Sequence, residues 1–328
     1  MLILFAFYAF YGLSSPLNKL LAGQMAPLFI VGIRGIVSGS FLFCYHRLFN
    51  YKKTPLLKED LWPTIQFIFF YLFFSNVIRF WALQYLTSIK AAFLYSVAPF
   101  VTYLFAYLAG IERITVKKSI GLCIGFLGFV PLLITGTTLE QSLGSFFCLS
   151  WPELAVIGSA ICDAYGLILI SRIMKKHHYE PLYFNSITLF AGGILSFSLA
   201  LVSEKLPTNS QLLPALGLLL LIIFISNIVS YNIYTWLVKK YSATFLSLSD
   251  FLRTLFSTFY GFFFLKEHLS IEFFVAAILI FIGLFLFYQE EIKENKTFVT
   301  PQFSYVSSMF KSYKDSIFKQ LLWWKKKR

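Results

Sequence analysis

Charge is what this sequence has least of. Asp, Glu, Lys and Arg make up 13% of its 328 residues, about half of the roughly 25% found in an ordinary soluble domain. Cysteine and histidine are equally scarce, at four each. Cys44, Cys123, Cys148 and Cys162 have no metal or redox spacing. Three of them lie in or beside apolar runs, where a free thiol behaves as a small hydrophobe, so no disulfide framework follows. His46, His177, His178 and His268 fall at the ends of apolar runs or between them. The chain has no H-E-x-x-H, no D-D-x-x-D, no G-x-S-x-G and no P-loop, which leaves hydrolytic, metal-dependent and nucleotide-driven chemistry without its usual residues. A channel filter sequence is absent too. An enzyme is not expected, nor a cofactor or a metal.

What is present is hydrophobicity, 58% of the chain. It is gathered into ten runs, Leu2–Leu21, Leu28–Tyr45, Trp62–Leu83, Ile89–Ile111, Ile120–Ile134, Leu154–Ile170, Leu182–Val202, Leu213–Leu237, Phe245–Leu265 and Ile271–Tyr288. Most are close to the ~20 residues that carry a helix across a hydrocarbon core. A soluble fold of this length cannot bury ten helices that are apolar all round. The expected fold class is therefore all-α and integral to the membrane, with ten transmembrane helices. The first run opens at Met1 without a basic leader region or a small-residue cleavage site, so it reads as a retained span.

The chain also repeats itself. Tyr11-Gly12, Pro27 and Gly39 recur 154 residues later as Tyr165-Gly166, Pro181 and Gly193, while Trp81 and Glu112 recur 155 residues later as Trp236 and Glu267. This divides the chain into a first five-helix repeat over 1–137, a second over 151–288 and a tail over 289–328. The net charge of +13 raises the question of nucleic acid, but almost all of the cations sit at the ends of the apolar runs, between them or in the tail, as in basic loops at a membrane face. Counted by alternate loops, twelve Lys and Arg face four (Lys19, Lys90, Lys205 and Lys266, the first two just inside the ends of their runs), and nine more lie in the tail. The positive-inside rule then puts both termini in the cytoplasm. Five spans end on the side opposite their start, so the second repeat must be inverted, the architecture of many alternating-access transporters. The tail starts acidic at Glu290, Glu291 and Glu294, then alternates Phe303, Val306, Phe310, Tyr313 and Ile317 with lysines. It reads equally well as a basic amphipathic helix on the cytoplasmic leaflet or as a disordered basic tail.

The repeating residues carry a resemblance. Tyr11-Gly12-x-Ser14-Ser15-Pro16-x-x-Lys19 followed by Pro27 and Arg34, then Ala82-Leu83-x-Tyr85-x-Thr87-x-x-x-Ala91-Ala92 with Pro99 and Gly110-x-Glu112-Arg113-Ile114-Thr115, and then Gly121-x-x-x-Gly125-x-x-Gly128 resemble the EamA type of the drug/metabolite transporter superfamily. Over Leu2–Tyr288 the resemblance implies a secondary transporter of small polar metabolites that works by alternating access. The sequence departs from the family at Asp163 and at Asp250-x-x-Arg253, charged where the family is usually neutral.

Five charged residues lie well inside the runs, away from their ends: Arg34, Arg79, Asp163, Asp250 and Arg253. Each costs about 2.5–3.5 kcal/mol at a helix centre on insertion scales and calls for a partner or a wet cavity. Asp250 and Arg253 share a helical face. They could neutralise one another, or line a substrate cavity with Asp163 and Arg79. Arg34 reads as structural, with a stem long enough to reach the interface or a partner. Polar side chains on the same runs complete the candidate substrate-binding set: Asn76, Tyr11, Tyr95, Asn227 and Tyr231. Tyr165 and Phe251, next to the aspartates, could face a planar or cationic ligand, and the break expected at Pro99 would free backbone carbonyls at mid-membrane depth. Carboxylates suit an ammonium or sulfonium, arginines a carboxylate, and aromatic rings a planar base. The first-ranked substrate is an amino-acid-like zwitterion such as S-adenosylmethionine or an amino acid. Nucleotide sugars or a broad range of metabolites and drugs come second, and a non-transporting scaffold or receptor is the reading from another class. The expected partners are the small-molecule substrate and the lipid bilayer, with a homodimer allowed and nucleic acid excluded. The expected location is a bacterial inner membrane.

Overall fold

The computed structural model describes residues 2–49, 56–110, 115–128, 143–146, 149–177, 179–267 and 271–294. The readings of Glu112 and of the tail beyond 294 lie outside them. The described chain is almost wholly helical: α1 (Leu2–Gly12), α2 (Ser14–Ala22), α3 (Pro27–Leu48), α4 (Lys58–Phe67), α5 (Ser75–Tyr85), α6 (Ser88–Tyr95), α7 (Ala98–Leu108), α8 (Val116–Leu127), α9 (Trp151–His177), α10 (Pro181–Ser203), α11 (Asn209–Ile222), α12 (Tyr231–Lys240), α13 (Ala243–Leu265) and α14 (Ile271–Glu294). Two-residue strands β1 (Ser145–Phe146) and β2 (Leu149–Ser150) pair antiparallel ahead of α9. Among the described residues, six helical stretches are long and apolar enough to cross a membrane: Pro27–Leu48, Lys58–Tyr85, Ser88–Leu108, Trp151–His177, Pro181–Ser203 and Leu212–Lys240.

Several runs that look uniform in sequence are interrupted. The first divides at Leu13 into α1 and α2, three residues before Pro16, whose missing N–H removes a helix bond. The fourth divides between α6 and α7 at Ser96 and Val97, three residues before Pro99. Ser96 N turns to the Phe93 carbonyl at 2.9 Å, and the Ala92 carbonyl accepts from Ser96 Oγ at 3.1 Å and Thr254 Oγ1 at 3.3 Å. The expected break is therefore present, and hydroxyls satisfy the carbonyl it releases. π-Helical segments interrupt the third and eighth runs, at Ile68–Phe74 and Ile223–Ser230. Asn76 Nδ2 donates to the Tyr71 and Leu72 carbonyls at 2.9 and 3.1 Å, and Asn232 Nδ2 to the Ile228 carbonyl at 2.7 Å.

These local structures recur at the spacing of the sequence repeat. The π segments begin 155 residues apart (68 and 223). Thr87 and Ser242, also 155 apart, cap α6 and α13 by accepting from Lys90 N and Phe245 N, each at 3.1 Å. Pro27 and Pro181, 154 apart, occupy the first position of α3 and α10, where a proline sacrifices no helix bond.

The helices α3 and α10 cross at close range. A Cβ built at Gly35 would lie 2.6 Å from Gly193 Cα, at Gly32 2.8 Å from Phe197 Cβ, and at Gly39 2.7 Å from Phe190 Cβ. The order of contacts reverses along the two helices, so they run antiparallel. Small residues at such a crossing let backbones approach where lipid supplies no hydrophobic drive.

At one end of the bundle, carboxylates are fastened to helix N-termini. Glu204 accepts from Leu28 N and Phe29 N at 2.9 Å each. Lys266 takes a left-handed conformation (φ 53°) that brings Glu267 onto α6, where it accepts from Ser88 N at 2.7 Å, Ile89 N at 2.9 Å and Ser88 Oγ at 2.9 Å. Lys90, placed by its sequence position in a loop, is instead buried in the first turn of α6 and paired with Glu153 at 2.7 Å. At the other end Lys176 meets Glu59 at 2.8 Å, and Tyr179 donates to Asp60 at 2.8 Å. Burial, with Asp60 and Glu59 beside it, pushes the Tyr179 hydroxyl above its ordinary value, and its bond from Leu57 N opposes this.

Candidate functional site

The buried charges converge. Asp163, in the middle of α9, uses Oδ2 to accept from Arg79 Nη1 at 2.9 Å and Tyr95 Oη at 2.5 Å. Its Oδ1 is buried without a hydrogen-bond partner. Asp250, on α13, accepts from Tyr234 Oη at 3.1 Å through Oδ2, and its Oδ1 is likewise buried and unpartnered. Both carboxylates line a cavity that encloses about 410 Å³ of empty space, open solvent included. In a low-dielectric setting an unfilled carboxylate oxygen is expensive.

Arg253 lines the same cavity. Its guanidinium lies over two rings, 4.7 Å from the Tyr11 centroid and 5.0 Å from that of Tyr95. Among the described residues no carboxylate reaches it within 4 Å, so Asp250 and Arg253 do not form the neutralising ion pair that their spacing allows. The ion pair of the cavity joins Arg79 to Asp163 across α5 and α9. Arg79 also lies 5.2 Å from the Tyr95 centroid and donates from Nη2 to Asn76 Oδ1 at 2.8 Å.

Seven of the nine candidate residues line the cavity of the two aspartates: Asp163, Asp250, Arg253, Arg79, Tyr11, Tyr95 and Tyr231. The other two line the adjoining spaces and act through arginines. Asn76 is bonded to Arg79 and the π-segment carbonyls, and Asn227 Oδ1 accepts from Arg34 Nε and Nη2 at 3.1 and 2.8 Å. Tyr165 is turned to Gln66 Oε1 at 3.2 Å, and Phe251 is packed in an apolar cluster with Ile89 and Phe93.

Tyr71 and Tyr234, which complete a ring of five tyrosines around the 410 Å³ cavity, escaped the sequence reading. Tyr234 had a signal: Asn227, Tyr231 and Tyr234 stand at i, i+4 and i+7, one helical face. Tyr71 had none, because the π segment that turns it inward shifts the helical phase.

Apolar helices that close around incompletely paired buried charges define a polytopic integral membrane protein with an internal polar site. The sequence profile of the EamA-like transporter family matches residues 1–134 and 150–289, and the chain belongs to that family. Similar proteins include one named S-adenosylmethionine/S-adenosylhomocysteine transporter from Chlamydia muridarum, 29% identical over 86% of this chain and 89% of its own. A protein of the same name from Chlamydia trachomatis serovar D is 29% identical, with 86% of each chain covered. An uncharacterized transporter, YoaV of Bacillus subtilis, is 22% identical over 80% of this chain and 87% of its own. A solved crystal structure superposes with a TM-score of 0.63 at 18% identity, covering 88% of this chain and 97% of the other, and shows a shared fold.

Proposed function

We propose that the protein is a secondary transporter of an amino-acid-like zwitterion, with S-adenosylmethionine and S-adenosylhomocysteine as the best-fitting pair, and that it works by alternating access in a bacterial inner membrane. In this reading ten spans form two inverted repeats, 1–137 and 151–288, with both termini and the basic tail 289–328 in the cytoplasm. The loop cations, the recurrence of local structure at 154–155 residues and the antiparallel α3–α10 pair favour this arrangement.

The observation that carries the substrate reading is the pair of unpartnered oxygens, Asp163 Oδ1 and Asp250 Oδ1, beside the unpaired Arg253 in one cavity. The carboxylates fit an ammonium and a sulfonium, the guanidinium fits a carboxylate, and the tyrosine ring gives a purine π-faces to stack on. Three arginines, Arg34, Arg79 and Arg253, against two aspartates, Asp163 and Asp250, along the connected cavities leave one positive charge to be met by the ligand, which a carboxylate supplies. The names of the chlamydial relatives point to the same substrate pair. The breaks in the first and fourth runs and the π segments in the third and eighth supply hinges in helices that enclose the site, whereas α9 and α13, which carry the aspartates, are continuous.

Uptake of labelled S-adenosylmethionine into proteoliposomes, challenged with S-adenosylhomocysteine, amino acids and nucleotide sugars, tests this. Saturable uptake that yields to S-adenosylhomocysteine and not to a nucleotide sugar is expected; the reverse order would replace the substrate assigned here.

A further inference from the structure

Arg34 is 5% exposed and has no carboxylate within ion-pair distance among the described residues. Nε and Nη2 donate to Asn227 Oδ1 at 3.1 and 2.8 Å, and Nη1 donates to Asn18 Oδ1 at 3.2 Å. Phe80 lies under its face at 5.2 Å. A guanidinium has five N–H donors, so two remain after these bonds. The residue lines two spaces, one of about 310 Å³ and one of about 620 Å³. The larger also contains Tyr11, Arg79, Tyr95 and Arg253, which line the cavity of the two aspartates. A purely structural arginine at this depth would be expected to face a carboxylate, because neutral amide oxygens leave its charge uncompensated. Two asparagines instead fix its plane with three of its five donors, and the residue lines the connected space.

We infer that Arg34 completes the carboxylate subsite begun by Arg253, with which it lines one cavity, and that it holds the acidic end of the ligand while Asp163 and Asp250 hold its cationic groups. The inference rests on the zwitterion reading above. It adds a division of labour: the two aspartates recognise positive charge, and Arg34 makes a free carboxylate a requirement. Asn18 and Asn227 are positioning residues in this scheme.

The test compares binding of S-adenosylmethionine and its decarboxylated analogue, which keeps the adenosine, sulfonium and amine, by detergent-purified wild type, Arg34→Lys and Arg34→Gln, using calorimetry. A charge-assisted hydrogen-bond pair contributes about 1.5–3 kcal/mol, or roughly 10–150-fold in affinity. Wild type should prefer S-adenosylmethionine by at least about 10-fold. Arg34→Gln should reduce that preference to within about 3-fold by weakening S-adenosylmethionine alone, and Arg34→Lys should keep part of it. An unchanged preference in Arg34→Gln, or equal weakening of both ligands, would overturn the assignment, the latter marking a structural role. If wild type binds neither adenosyl compound, the substrate reading fails by itself. The Arg34 assignment is then read from methionine against 3-(methylthio)propylamine, and wild type that fails to prefer methionine overturns it.

Discussion

Arg79 Nη1 stands 2.9 Å from Asp163 Oδ2, while Asp163 Oδ1 has no hydrogen-bond partner. One carboxylate thus does two jobs. Its first oxygen neutralises a half-buried guanidinium contributed by another helix, and its second is left free of protein partners on a residue that lines the cavity. Asp163→Asn removes both functions and leaves Arg79 without its anion. Breaking a buried pair in this way costs about 3–5 kcal/mol. The variant is expected to unfold at a clearly lower temperature in detergent and to lose transport at least 100-fold. Asp163→Asn with wild-type melting would contradict the pairing.

Asp250 should behave differently. Its carboxylate accepts the Tyr234 hydroxyl, and among the described residues it has no cation within ion-pair distance. Asp250→Asn keeps an oxygen for that hydroxyl, so the melting temperature should stay within a few degrees while substrate affinity falls about tenfold or more. Calorimetry and thermal unfolding on the same preparation separate these effects. A variant that melts early and binds normally would make Asp250 structural.

Arg253 owes its position to the faces of Tyr11 and Tyr95. Lysine offers a smaller, more strongly hydrated charge that stacks poorly. Arg253→Lys is therefore expected to weaken binding about 5–30-fold with its charge retained, read as a rise in the half-saturation concentration for uptake. Equal function with lysine would mean that the charge suffices and the stacking does not matter.

How much of this was legible in the sequence differs residue by residue. The 154–155-residue spacing was readable because identical side chains recur, and the π segments and helix caps follow it. The buried charges were readable because an ionisable residue in an apolar run is costly wherever it points. Their partners were not: Asp250 and Arg253 share a helical face, yet the guanidinium goes to rings contributed by other helices, a choice made by tertiary packing. Lys90 looked like a loop cation because its partner, Glu153, lies in the other half of the chain. Tyr71 was hidden by the π segment, whose extra residue per turn breaks the 3.6-residue phase on which helical faces are read.

Glu267 caps α6 through two backbone N–H groups and the Ser88 hydroxyl. Glu267→Ala strips all three bonds and should cost about 0.5–2 kcal/mol, the range for a lost cap, while Glu267→Gln should recover part of it. Thermal unfolding of the two variants checks the order. Equal melting of Glu267→Ala and wild type would mean that the contact adds nothing.

The central claim is that the aspartate cavity carries S-adenosylmethionine across the membrane, and counterflow tests it most directly. Proteoliposomes loaded with unlabelled S-adenosylhomocysteine are diluted into labelled S-adenosylmethionine. Wild type should accumulate label transiently and saturably, and Asp250→Asn, which remains folded, should not. Absence of counterflow in wild type, or undiminished counterflow in Asp250→Asn, would contradict the account.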